Sequence, residues 1–137
     1  MTTFVDSNVL IDLVSDNPAF YAWSDRRLNL AAEAGALAVD PIVFAEVSVR
    51  MPDLDSTISY FRRSRIAIVP TPEEALFLAG RAFLAYRRGG GTTTGVLPDF
   101  LVGAHAAHLG RPLLTRDATR YRTYFPTLAL IAPDTHP

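Results

Sequence analysis

Four acidic residues stand in positions where a carboxylate is costly to keep. Asp6 follows the apolar run Thr3-Phe4-Val5 and is itself followed, after Ser7 and Asn8, by Val9, Leu10, Ile11 and Leu13. Asp117 comes just after "PLLT" at 112–115, with Arg116 between them. Asp99 directly follows Pro98, at the end of a Gly/Thr-rich stretch, and Glu46 sits inside the nearly apolar "IVFAEVSV". A carboxylate withdrawn from water needs hydrogen bonds, a partner charge or a metal. Each acid also has a plainer reading. Asp6, Asp99 and Asp117 could simply cap helices, where aspartate is favoured, and Arg50, one turn beyond Glu46, could pair with it. Should the four converge, two unit charges about 4 Å apart repel by roughly 4 kcal/mol at an effective dielectric near 20. Such a cluster requires protons or cations. All-oxygen ligands in a chain without cysteine point to a hard divalent ion, Mg²⁺ or Mn²⁺, which polarises phosphates and activates water.

The elements that would position these acids follow from the apolar pattern. Strand-type runs occur at 2–5, 36–39, 66–69, 112–115 and 128–131. Helical spacing begins at Asn8, covers much of 18–34, and restarts after Asp40-Pro41, an N-cap followed by a proline. Further helices begin at Asp53 and at Thr71-Pro72-Glu73-Glu74, the latter running to about Arg88, and another spans Asp99 to Gly110. "GGGTTTGVLP" at 89–98 reads as a mobile loop. Short apolar strands alternating with helices predict a single α/β domain over 1–137, with a mostly parallel sheet of four to five strands covered on both faces. Residues just past the C-terminal ends of such strands share one edge, where these folds bind ligands. Asp6 and Asp117 are therefore candidates for one cleft, and a helix start such as Asp99 can face it.

Composition narrows the chemistry. The 137 residues are 49% apolar and 20% charged, ordinary for a globular chain. The absence of cysteine excludes disulfides, thiolate metal sites and cysteine nucleophiles. All thirteen basic residues are arginine, so "RRGGGTTTG" at 87–95 is no Walker loop, which needs its lysine, and lysine Schiff-base chemistry is ruled out. No signal-peptide pattern or membrane-length apolar run is present, which predicts a soluble, cytoplasmic protein. Net charge is −1, but with the four acids set aside thirteen arginines face ten others, a mildly basic remainder. Arg87, Arg88 and Arg116 are candidate phosphate contacts. His105 and His108 in "AHAAH" read as structural or surface residues; His105 lies about 9 Å of helix rise and roughly 120° from Asp99, too far for one ion to use both. Phe20, Tyr21 and Trp23 are read as core packing or a dimer contact, and "YRTYF" at 121–125 as packing beside the last strand.

Four segments, in this order and spacing, carry a family resemblance: "FVDSNVLIDL" at 4–13, "IVFAEV" at 42–47, "LPDFLVGAHAAHLGRPLLTRD" at 97–117 and "RYRTYFPTLALIAP" at 120–133. The chain resembles the PIN-domain ribonucleases, and within them the VapC-type toxins of toxin–antitoxin pairs. The resemblance implies a three-layer α/β/α PIN-like domain whose acidic cluster binds Mg²⁺ or Mn²⁺ and hydrolyses RNA phosphodiesters as an endoribonuclease. Asp6, Glu46, Asp99 and Asp117 match the family's acidic set. Asp6, Asp99 and Asp117 are implied as metal ligands and Glu46 as a ligand directly or through water. Asn8 and Thr115 match small polar positions that support the cluster by hydrogen bonds, and Ser7 is a common variant at its position. A homodimer and a small VapB-type antitoxin covering the cleft are also implied. The competing enzymes are a DNA nuclease or a phosphatase using the same carboxylates. A haloacid-dehalogenase-type phosphatase would want an aspartate where Asn8 stands, and a receiver domain a lysine this chain lacks. The non-enzyme alternative is a PIN-like module whose acids only dock an antitoxin.

Overall fold

Five apolar runs of two or three residues become the strands of one sheet: β1 (Thr3–Val5), β2 (Leu37–Val39), β3 (Ile66–Ile68), β4 (Leu113–Leu114) and β5 (Leu130–Ile131). The computed structural model describes all 137 residues. The strands lie in the order β3-β2-β1-β4-β5, and every pairing is parallel. Strands buried on both faces read as unbroken apolar runs, and every residue of β1, β2 and β4 is buried. Central β1 is pinned from both sides, Phe4 pairing with Ala38 of β2 and with Leu113 of β4.

Seven helices flank the sheet: α1 (Ser7–Val14), α2 (Tyr21–Ala34), α3 (Pro41–Ser48), α4 (Leu54–Arg63), α5 (Glu73–Arg88), α6 (Leu97–Leu109) and α7 (Thr119–Tyr124). The result is a three-layer α/β/α fold whose sheet is wholly, not merely mostly, parallel. Aspartates start three of the helices: Asp6, Asp40 and Asp53 accept the N–H groups of Ser7, Ile42 and Ser56 at 2.8, 2.8 and 2.7 Å. Asp40 is also committed inward. Its Oδ2 accepts the Thr71 hydroxyl at 2.6 Å and lies 2.7 Å from Nδ1 of fully buried His105. Burial alone would raise the Asp40 carboxyl, but His105, Thr71 and the Ile42 N–H outweigh it and hold it below the ordinary range. His105 is thus a core residue packed on the Phe4 ring, 4.8 Å between centroids, and His108 is exposed.

Two segments depart from the expectation. Helix α6 begins at Leu97, two residues before Asp99. Pro98 therefore sits within the first turn, where its missing N–H and fixed φ are tolerated. "YRTYF" does not simply pack beside the last strand; most of it forms α7, docked on α6. Gly103 of α6 makes the approach possible, because a Cβ there would stand 2.6 Å from the Phe125 ring and 2.9 Å from that of Tyr121. The Gly/Thr stretch after α5 is tied back to it: Tyr86 accepts the Gly91 N–H on its carbonyl (2.9 Å) and the Thr93 N–H on its hydroxyl (3.0 Å). In the aromatic cluster on the early helix, Trp23 donates to the carbonyl of His136 at 2.7 Å, fastening the chain end, and Tyr21 is exposed. No helix is long and apolar enough to cross a membrane.

Candidate functional site

From β1 the chain steps outward through β2 to β3, then returns across α5 and α6 to β4 on the other side of β1. That reversal opens a crevice beyond the C-terminal ends of β1 and β4, the place where parallel α/β sheets bind ligands. It is a cavity of about 680 Å³ whose lining includes Asp6, Asn8, Asp99, Asp117, Arg120 and Tyr121.

Asp6 is its buried floor, only 4% exposed. One carboxylate oxygen accepts the Ser7 N–H; the other accepts the hydroxyls of Thr115 (2.9 Å) and Tyr121 (2.8 Å) and, more distantly, the Asn8 amide (3.4 Å). Burial pushes the Asp6 carboxyl up to about 6; Tyr121, Thr115 and the Ser7 N–H oppose the rise, and the charge of Asp99 adds to it. Asn8 stitches the ends of β1 and β4 together, donating to the Thr115 hydroxyl at 3.2 Å and accepting the Arg116 N–H at 3.2 Å.

Asp99, in the first turn of α6, is bound to Arg120 through a 2.6 Å contact between Oδ2 and Nη1. Burial raises its carboxyl, Arg120 counteracts this, and the charge of Asp117 reinforces it. Asp117 is exposed at the entrance to α7, its N–H on the Thr115 hydroxyl at 3.2 Å. Glu46, half-buried on α3, is not part of the cavity wall. Burial raises it as well; the Ser7 side chain lowers it and the charge of Asp99 raises it. The charge of Asp99 thus raises both Asp6 and Glu46, and that of Asp117 raises Asp99, each effect secondary to burial.

Two of the three candidate phosphate contacts lie elsewhere. Arg87 and Arg88 are exposed and outside the cavity lining, and Arg87 rests over the Phe83 ring at 5.2 Å. Arg116 does line the cavity, but its Nε is 2.8 Å from Oδ2 of Asp12, a side chain 1% exposed, and its guanidinium covers Phe20 at 4.6 Å. The sequence reading missed Arg120, Tyr121 and Asp12. Arg120 and Tyr121 stand three and four residues after Asp117, but Asp117 precedes α7, so it is the docking of α7 on α6 and not helical spacing that brings them to the cleft.

No three of the acids converge closely enough to cage an ion. The donor chemistry nevertheless fits a hard divalent cation. All donors are carboxylate oxygens, Asp6, Glu46 and Asp99 are each pushed up in part by another acid's charge, and Arg120 already places a positive charge on Asp99.

Comparisons with known proteins agree with this architecture. Several solved structures share the fold across nearly the whole chain. VapBC2 from Rickettsia felis, bound to a DNA fragment from its promoter, is 20% identical with a TM-score of 0.71, covering 96% of this chain and 98% of that one. VapBC-1 from nontypeable Haemophilus influenzae is 18% identical with a TM-score of 0.71 and the same coverage. FitAcB from Neisseria gonorrhoeae is 17% identical with a TM-score of 0.63, covering 98% and 99%. No curated protein sequence matches the chain. The family model of the PIN domain matches residues 3–126, from the first strand through the helix that delivers Arg120 and Tyr121. The chain belongs to the PIN domain family.

Proposed function

We propose that this protein is the toxin of a toxin–antitoxin pair, a metal-dependent endoribonuclease that hydrolyses RNA phosphodiester bonds. The observation that carries this reading is the cavity beyond the C-terminal ends of β1 and β4, whose wall brings Asp6, Asp99 and Asp117 together with Arg116 and Arg120. Asp6, Asp99 and Asp117 would hold Mg²⁺ or Mn²⁺, and Glu46 would bind it directly or through water. When bound, the ion supplies charge stabilisation to the phosphate oxygens and activates water.

The chain's own residues do the positioning. Thr115, Tyr121 and the Ser7 N–H hold the Asp6 carboxylate in one orientation. Asn8 keeps the ends of β1 and β4 in register. With its carboxyl at about 6, Asp6 is mostly ionised at neutral pH and ready to receive a cation. Arg116 and Arg120 put positive charge on the cavity wall, where a phosphodiester would lie. The solved structures of the same fold are VapBC and FitAB complexes. That supports a VapB-type antitoxin as partner; the same reading takes the toxin to be a homodimer acting in the cytoplasm.

The test is cleavage of total cellular RNA by the purified chain, free of partner, in Mg²⁺, Mn²⁺ or EDTA. Asp6→Asn and Asp99→Asn serve as controls and duplex DNA as the competing substrate. Discrete cuts that require metal and vanish in both variants are expected. Cleavage of DNA alone would transfer the activity to the DNA-nuclease reading. No cleavage by any form, with antitoxin binding intact, would leave a docking module.

A further inference from the structure

We propose that Arg120 is the resident counter-cation of the acidic cluster and a positioning residue for RNA: its guanidinium neutralises Asp99 while the site is empty and transfers to a substrate phosphate when a divalent cation takes its place. The inference rests on the nuclease reading above. The two arginines of the cavity wall are bonded very differently. Arg116 is committed to Asp12, whose other oxygen has no partner at all, so releasing it would strand a buried charge. Arg120 has an exchangeable partner. Its side chain is 33% exposed and that of Asp99 38%, so both ends of the pair reach water.

The backbone beneath Arg120 is anchored, whereas its side chain reaches solvent. Next to it, Tyr121 is 2% exposed and anchored on Asp6. Any movement is therefore a swing of the guanidinium within the cleft, not a displacement of α7. While bonded to Asp99, the guanidinium also lies over the Tyr86 ring, with Cζ 5.8 Å from its centroid. Charge makes the exchange orderly. Asp6, Asp99 and Asp117 line one cavity, so a divalent ion entering it meets more negative charge than one guanidinium neutralises. Arg120 is then left unpaired in the same cavity, and its fork of donors matches phosphate oxygens. One side chain thus lowers affinity for the metal and raises affinity for the substrate.

The two effects are separable by direct binding. Mn²⁺ is titrated calorimetrically into wild type, Arg120→Ala and Arg120→Lys at neutral pH. Binding of a fluorescein-labelled single-stranded RNA of mixed sequence is followed by anisotropy with Ca²⁺ present. Arg120→Ala is expected to bind Mn²⁺ about threefold to fivefold more tightly, the scale of a half-exposed ion pair, and to bind RNA several-fold more weakly. Arg120→Lys, which keeps the charge, should recover part of the RNA affinity. Equal or weaker Mn²⁺ binding by Arg120→Ala, beside a wild type that does bind Mn²⁺, would overturn the proposal and leave the nuclease reading standing. Unchanged RNA affinity would overturn it too. If none of the three binds Mn²⁺, the metal-nuclease reading falls and takes the proposal with it.

Discussion

Replacing Asp6 by asparagine should make the metal-free protein more stable at neutral pH while abolishing its proposed activity. The carboxyl titrates at about 6 in the fold against an ordinary value of 3.8. Because the folded value is the higher one, the native chain keeps a proton that the unfolded chain gives up between about pH 4 and 6. Stability therefore falls as pH rises through that window. At 1.36 kcal/mol per tenfold change, ionised Asp6 costs the native state about 3 kcal/mol above pH 6. An asparagine carries no such cost. Its carbonyl can still accept the Ser7 N–H, and the hydroxyls of Thr115 and Tyr121 can turn to accept from its amide. The Asn8 amide, at 3.4 Å, would then face another donor and take back about 1 kcal/mol. The net gain of about 2 kcal/mol corresponds to roughly 6–10 °C in Tm for a chain of this size. Thermal melts in EDTA at pH 7.5 and pH 4 test this. Asp6→Asn should melt higher at pH 7.5, and the difference should shrink to under about 1 kcal/mol at pH 4. Millimolar Mn²⁺ should reverse the order by stabilising the wild type alone. Equal Tm values at pH 7.5, or a gain that is the same at both pH values, would refute the claim that burial strains this carboxylate.

Three further substitutions probe the frame around the site. Tyr121→Phe removes a donor that favours ionised Asp6; it should cost about 1–2 kcal/mol at pH 7.5 and less at pH 4, as read from denaturant midpoints. Arg116→Ala leaves buried Asp12 with only the Ser24 hydroxyl. A fully buried pair would lose about 3–5 kcal/mol, but Arg116 is 28% exposed, so about 2–3 kcal/mol is expected in urea melts, with partial recovery on adding Asp12→Asn. Gly103→Ala drives a methyl into the rings of Phe125 and Tyr121; about 1–3 kcal/mol of overpacking should appear as a lower Tm, together with a loss of RNA cleavage as Tyr121 is pushed off Asp6.

Much of this protein is written in local sequence. The runs "TFV", "LAV" and "LL" are buried on both faces and could become only interior parallel strands, and Asp40-Pro41 and Asp53 start helices by chemistry confined to a few residues. Placing Asp6 just beyond β1 and Asp117 just beyond β4 required no more than the strand runs and the rule that such ends share an edge. Where a boundary slipped, as at Leu97, the local signal was compatible with two answers: a proline fits either before a helix or inside its first turn. The partners of each charged group were another matter. Tyr121 reaches Asp6 across 115 residues and Arg116 reaches Asp12 across 104. Arg120 finds Asp99 only because α7 docks on α6 through the gap at Gly103. The sequence by itself marked Asp6 as a carboxylate costly to keep, but it passed over buried Asp12 and ranked exposed Asp117 beside Asp6. Only the tertiary structure decided which of them meet and which cation neutralises them, because electrostatic pairing depends on distances of a few ångströms that no sequence spacing of a hundred residues can specify.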